Sequence, residues 1–229
     1  MTVLQKPMRY PTSDGRPMAE TDLHFDLISD TRKTLEIRYA DDPNVYVSGN
    51  LLLFYIPENK RRHVAPDVFV VKGIKKKKRE NYLLWEEGKA PDAIIEITSS
   101  TTRKEDTTKK FELYRDVLKV REYFLFDPRG DYLKPTLQGY RLSRGEYAPI
   151  NAIAKRLPSN VLGLHLERSG TDLRLFDPET GAWLPTLQEQ AQHERADRLR
   201  AETAVERLEK EFKELRAELD ALKRKLAPS

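Results

Sequence analysis

The run Pro91-Asp92-Ala93-Ile94-Ile95-Glu96-Ile97-Thr98 constrains this chain more than any other segment. It has the length and β-branched content of a buried strand, yet a carboxylate stands in it with apolar neighbours on both faces. An unpaired carboxylate in such a place is costly, so Glu96 must be protonated, ion-paired or bound to a metal. Asp67 repeats the pattern, as the residue that opens the apolar strand Val68-Phe69-Val70-Val71 after Pro66. The two acids read in either of two ways. They form a hard-cation site, since magnesium takes a few carboxylates plus water, or they are structural residues that cap strand ends or bond arginine.

The segments around them alternate in period. Leu23, Leu27, Ile28, Leu35 and Tyr39 fall at helical spacing between Thr21 and Tyr39. Val45 to Ile56 is strand-like, with a turn or bulge at Ser48-Gly49-Asn50 and a stop at Pro57. Thr102 with Glu105 has the form of a capping box, which predicts a helix from there to about Leu118. Glu122 to Phe126 is a further strand, ended by Asp127-Pro128, and Gln138 to Ile150 reads as a hairpin around Ser143-Arg144-Gly145. Helix, strands, helix, strand is an α/β order. On the second helix Lys110 shares a face with Asp106 and Tyr114. Either it leans toward the carboxylates, where it would position or deprotonate a water, or it is one more solvated lysine; Lys109 competes for the same role.

These strings closely resemble the Uma-two family of restriction endonucleases. The resemblance rests on Pro66-Asp67, Pro91 to Ser99, Ser100 to Asp106, Lys110-Phe111-Glu112-Leu113-Tyr114 and Val120-Arg121-Glu122-Tyr123, matched in order over roughly residues 20–165. It implies a restriction-endonuclease-like core of the PD-(D/E)XK superfamily: helix, three strands, helix, strand. It further implies that Asp67 and Glu96, with the Ile97 backbone carbonyl, bind Mg²⁺ (or Mn²⁺). The superfamily's lysine would fall at position 98, where this chain has Thr98, a residue that cannot do a lysine's electrostatic work. Some relatives supply the lysine from the following helix, and Lys110 matches that position. Glu36 would be the upstream acid of the first helix. The resulting expectation is a Mg²⁺-dependent endonuclease that hydrolyses DNA phosphodiester bonds; the alternative is a catalytically inactive nuclease-fold protein that binds DNA or assembles.

Composition adds partners and exclusions. There is no Cys, so disulfides, zinc ribbons and thiol catalysis are excluded. Neither a signal peptide nor an apolar run long enough for a membrane is present, which points to the cytoplasm and no membrane partner. The net charge of +4 lies wholly in residues 1–186, because 187–229 are neutral though densely charged. Two basic segments, Lys60-Arg61-Arg62 and Lys75-Lys76-Lys77-Lys78-Arg79, either line one rim and contact DNA phosphates or are solvated loops. The four His show no metal-ligand spacing and receive no role. Residues 1–20 read as an extended arm, 21–186 as the nuclease-like domain and 187–229 as a C-terminal coiled-coil helix. In that helix Val205, Leu208, Phe212, Leu215, Leu219, Leu222 and Leu226 form an a/d seam. The seam either joins two copies in a homodimer, recruits another protein, or folds back on the body.

Overall fold

The computed structural model describes residues 9–13, 15 and 21–226, with side chains as far as residue 219. It divides into two units, Met1–Leu184 and Pro185–Ser229. The first unit begins with α1 (Asp22–Arg38), where the spacing places a helix; the Thr21 hydroxyl caps it by accepting the His24 N–H. Its inner face buries Leu27, Ile28 and Leu35. Then comes β1 (Val45–Ser48), after which the chain turns at Gly49 and Asn50. Gly49 is required there, because a Cβ would run into the carbonyl oxygen of Asp67. This turn splits the predicted strand Val45–Ile56: β2 (Leu53–Phe54) lies in a different sheet, with β3 (His63–Val64).

The chain returns to the first sheet in β4 (Val68–Lys72). After β5 (Tyr82–Leu83) and the single turn α2 (Leu84–Glu87), it enters β6 (Ala93–Ile97). The next helical stretch starts as α3 (Arg103–Glu105) and continues through two π-helical turns, Asp106–Lys110 and Leu113–Val117. The capping box expected at Thr102 and Glu105 is not made, because Thr102 already has helical backbone angles and makes no side-chain cap. The reciprocal cap lies three residues earlier: Thr102 N–H donates to Ser99 Oγ (3.2 Å), and Ser99 N–H to Thr102 Oγ1 (3.0 Å). Then follow β7 (Glu122–Phe126) and the hairpin β8 (Leu137–Ser143) and β9 (Glu146–Pro149), turning through Arg144 and Gly145 at positive φ. β10 (Leu157–Ser159), β11 (Leu164–Ser169), β12 (Asp172–Asp177) and β13 (Ala182–Trp183) complete the unit.

The main sheet has the order β1-β4-β6-β7-β8-β9, with β6 and β7 parallel and the other pairs antiparallel. Its α1, β1, β4, β6, helix, β7 path is the expected core, with β2, β3 and β5 as a side excursion. One sheet face (Val68, Val70, Ile95, Phe124) packs with α1 residues Leu27, Ile28 and Leu35 and with Leu164, Leu166 and Leu175 of the four-stranded sheet. The other face (Phe69, Ile94, Tyr123) packs with Tyr114, Leu118, Leu53 and Tyr82. Side chains alternate along a strand, so Glu96 shares the second face with Ile94. Of residues 1–20, expected as an arm, most lie outside the described residues; Tyr10 packs on Phe54 and Trp85, with ring centroids 4.9 and 5.3 Å away.

The second unit is α4 (Leu187–Leu226), opened by a capping box in which Glu189 N–H donates to Thr186 Oγ1 and Thr186 N–H to Glu189 Oε2. Within this helix Val205, Leu208, Phe212, Leu215 and Leu219 are all more than half exposed. The side chains of Leu222 and Leu226 lie outside the described ones. No described helix is long and apolar enough to cross a membrane.

Candidate active site

The register of β4 on β6 pairs Val68 with Ile95, which sets Asp67 opposite Glu96 at the next step. There the carboxylates take over the ladder. Asp67 N–H points to Glu96 Oε2 (3.3 Å), and Ile97 N–H donates to Asp67 Oδ2 (2.7 Å). Glu96 is fully buried and Asp67 nearly so. The sequence brings these two acids together only through the strand pairing, since they are 29 positions apart.

Lys110 reaches Glu96 from the first π-helical turn. Its Nζ lies 2.9 Å from Glu96 Oε2 and 2.9 Å from Asp106 Oδ1, and its side chain is 12% exposed. From the next turn, Tyr114 O–H donates to Glu96 Oε1 (2.7 Å). Tyr123 O–H donates to the Asp106 carbonyl (3.0 Å) and so ties this helix to β7. Asp106, Lys110 and Tyr114 thus share one face as their spacing predicts, and Lys110, not Lys109, turns inward. Asp106 and Tyr114 join the site as partners of Lys110 and Glu96, roles that their helical spacing alone does not assign.

Three carboxylates, Asp67, Glu96 and Asp106, gather around one ammonium. Burial pushes the Glu96 carboxyl well above its ordinary range; Lys110 opposes this, and Asp67 and Asp106 add to it. Asp106 is raised too, again first by burial. Burial alone would lower Lys110, but Glu96, Asp106 and Asp67 outweigh it and hold the ammonium above the usual lysine range. Lys110 therefore stays charged. As an ammonium it can orient a water or a phosphate oxygen, the positioning role its spacing allows.

His24, which no metal-ligand spacing marks in the sequence, stands beside Asp67: its Nε2 is 3.6 Å from Asp67 Oδ2. It lies 43 positions from Asp67 and no local pattern announces it. Glu36, the expected upstream acid, instead pairs with Arg32 and Lys33 on its own helix (3.0 and 2.8 Å). Thr98 occupies the lysine slot with a buried hydroxyl.

The basic run 75–79 is placed differently from the expected rim. Asp67 precedes β4 and the run follows it, so five strand residues, about 16 Å, separate them. There Lys76 Nζ donates to the carbonyls of Tyr39 and Ala40 at the end of α1 (2.5 and 2.9 Å). Arg79 is buried against Glu87, and Lys77 lies 3.2 Å from Glu87. Lys75 and Lys78 are exposed on the same loop. Lys60, Arg61 and Arg62 are exposed on the loop between β2 and β3. At the carboxylate end of the sheet, the exposed cations include Arg103, Lys104 and Lys109 after β6 and Arg129 after β7.

A divalent cation suits this donor set. Its oxygens are hard donors, and the buried acids outnumber the one buried lysine. Among the described residues no group of three or more His, Asp and Glu is gathered to hold an ion alone. An ion would thus be shared among Asp67, Glu96, a backbone carbonyl and water, as magnesium prefers.

A mixed sheet that opposes two carboxylates at one end, with a helix lysine laid over them, is a restriction-endonuclease-like core. The model of the family described as Uma2, "Putative restriction endonuclease", matches residues 4–175, and the chain belongs to that family. No curated protein matches. Among solved structures, a similar one is described as a "putative nuclease belonging to DUF820" from Anabaena variabilis ATCC 29413. It is 19% identical, covers 65% of this chain and 79% of its own, and superposes with a TM-score of 0.48.

Proposed function

We propose that this chain is a metal-dependent endonuclease that uses Mg²⁺ or Mn²⁺ to hydrolyse phosphodiester bonds of DNA in the cytoplasm. The observation that carries the reading is the surplus of buried carboxylate, Asp67, Glu96 and Asp106 around the single Lys110. Asp67, Glu96 and the Ile97 carbonyl would hold the ion. When bound, the ion supplies an acidified water and offsets charge developing on the phosphate. The remaining tasks belong to this chain's own residues. Tyr114 and Lys110 fix the two oxygens of Glu96, while the Ile97 N–H fixes one oxygen of Asp67. An ammonium has three N–H donors, and two of those on Lys110 are engaged by carboxylates. The third is left for the attacking water or a phosphate oxygen. Arg103, Lys104, Lys109 and Arg129, exposed at this end of the sheet, would take the DNA backbone.

The test is cleavage of plasmid and single-stranded DNA with Mg²⁺ or Mn²⁺. Wild type is expected to cut and the Asp67→Ala, Glu96→Ala double variant to be inert; metal-dependent cleavage that survives in the variant sinks the assignment. A second reading follows from Thr98 in the lysine slot: a fold that binds DNA and does not cut it. Gel shift at low salt without cleavage in either metal supports that reading. The exposed seam from Val205 to Leu219 further supports a homodimer joined by α4. Light scattering of the full chain should give twice the monomer mass.

A further inference from the structure

The exposed seam of α4 carries information about the direction in which a second copy lies against it. Val205, Leu208, Phe212, Leu215 and Leu219 are each more than half exposed, and nine of the ten residues between them are charged. An apolar stripe that narrow fits one facing helix rather than a broad surface. In heptad terms Val205, Phe212 and Leu219 are a positions, and Leu208 and Leu215 are d positions. The g flank is then Ala204, Glu211 and Glu218, and the e flank is Glu209 and Arg216.

Those flanks separate the two orientations. In an antiparallel pair each flank faces its own kind, so in either register that overlaps the seam Glu211 would meet Glu211 or Glu218 of the second copy. In a parallel pair each g residue faces the e residue five positions on in the other helix. Glu211 then meets Arg216 of the second copy, Arg216 meets its Glu211, and Ala204 meets Glu209, with no like charges opposed. Arg207 occupies Glu211 Oε1 within the helix (2.9 Å), so the pair from the second copy falls on Oε2. Nearer the start of α4 the same stripe positions hold Glu194 and Arg198, both exposed. Pairing therefore begins near Ala201, and residues 187–200, about 21 Å of helix, precede it.

We propose that α4 joins two copies of this chain in parallel, with Glu211 of each helix facing Arg216 of the other. Both nuclease units are then attached to the same end of one coiled coil. An antiparallel pair would instead start its two helices on the order of 70 Å apart. The proposal deepens the homodimer reading, and its consequence rests on the nuclease reading: two carboxylate sites tethered to one end can cut both strands of a duplex in one encounter.

The test uses the full chain. Val205→Cys introduces a single thiol, because the chain has no cysteine. In a parallel pair the two thiols face each other across one layer of the seam, and mild oxidation should convert most of the protein to a covalent dimer. In an antiparallel pair their Cα atoms lie about 15 Å or more apart along the axis, beyond the roughly 7 Å that a disulfide spans. In sedimentation Glu211→Arg and Arg216→Glu should each raise the dimer Kd roughly tenfold, and the two together should recover most of the loss. A full chain that stays monomeric overturns the proposal. So does a dimer that fails to cross-link through Val205→Cys, or one that Glu211→Arg tightens. Leu215→Glu, which breaks the seam away from the carboxylates, should make nicked plasmid accumulate where wild type gives linear product. A parallel dimer that leaves DNA intact fails the nuclease reading and keeps the pairing; a monomer that cuts DNA does the reverse.

Discussion

The two ends of the main sheet bury similar charges and balance them differently. Beyond the far end of β4, Arg79 holds Glu87 with two bonds of 2.8 and 2.7 Å, lies 4.0 Å over the Tyr46 ring, and shares Glu87 with Lys77. Hydrogen bonding from Arg79 keeps the Glu87 carboxyl below its usual range. At the near end Lys110 faces Glu96 and Asp106, with Asp67 alongside, and the acids are raised. Cations match or exceed acids in the first cluster, which is complete as a structural clamp. The second carries a surplus of acid over its one lysine, a donor set that suits a divalent cation.

This contrast can be broken by experiment. The largest effect is expected from Asp67→Ala or Glu96→Ala, each of which should lower DNA cleavage by roughly 10³-fold or more, since several kcal/mol of charge stabilisation are at stake. Next, removing the cation from either cluster should destabilise the protein. Lys110→Met leaves Glu96 and Asp106 without their lysine, a loss of about 3–5 kcal/mol in thermal or urea unfolding, whereas Arg79→Met leaves Glu87 to Lys77 and should cost less. The two should part when Mn²⁺ is added: it restores much of the loss in Lys110→Met and none in Arg79→Met.

A smaller effect separates the ends by pH. Glu96 has a raised folded pKa, so the native state holds its proton above the ordinary value of 4.5. Metal-free stability therefore falls as pH rises from about 4.5 through the raised range, and Glu96→Gln flattens that limb. Glu87 has a lowered folded pKa; its contribution is present above 4.5 and is lost as pH falls through the folded value. Unfolding followed from pH 3 to 8 in wild type, Glu96→Gln and Glu87→Gln reads both signs. The smallest change is expected from Lys75→Ala with Lys78→Ala, which lie at the far end and should alter DNA affinity less than twofold, against a larger loss for Arg103→Ala with Lys109→Ala.

Much of this site was legible in the sequence because burial makes an acid conspicuous. Glu96 and Asp67 stand out in apolar strands, and Asp106, Lys110 and Tyr114 are marked by four-residue spacing. Other features were hidden for physical reasons. His24 meets Asp67 only through the packing of α1 on the sheet. The widened turns at Asp106–Lys110 coincide with Thr107 and Thr108, whose hydroxyls bond back to the carbonyls of Arg103 and Lys104, a competition that spacing rules ignore. The run Lys75–Arg79 reads in sequence either as a phosphate contact or as a solvated loop, because local charge does not reveal which strand end it follows. Arg79 is in fact buried, and Lys76 serves α1.

The central claim is that the carboxylate end of the sheet is completed by a divalent cation. Calorimetric titration of Mn²⁺ into the full chain near pH 7, repeated in two buffers of different ionisation enthalpy, tests it most directly. Saturable binding that releases protons in wild type and vanishes in Asp67→Asn with Glu96→Gln is the predicted result. Absence of saturable binding in wild type, or binding unchanged in the double variant, would contradict it.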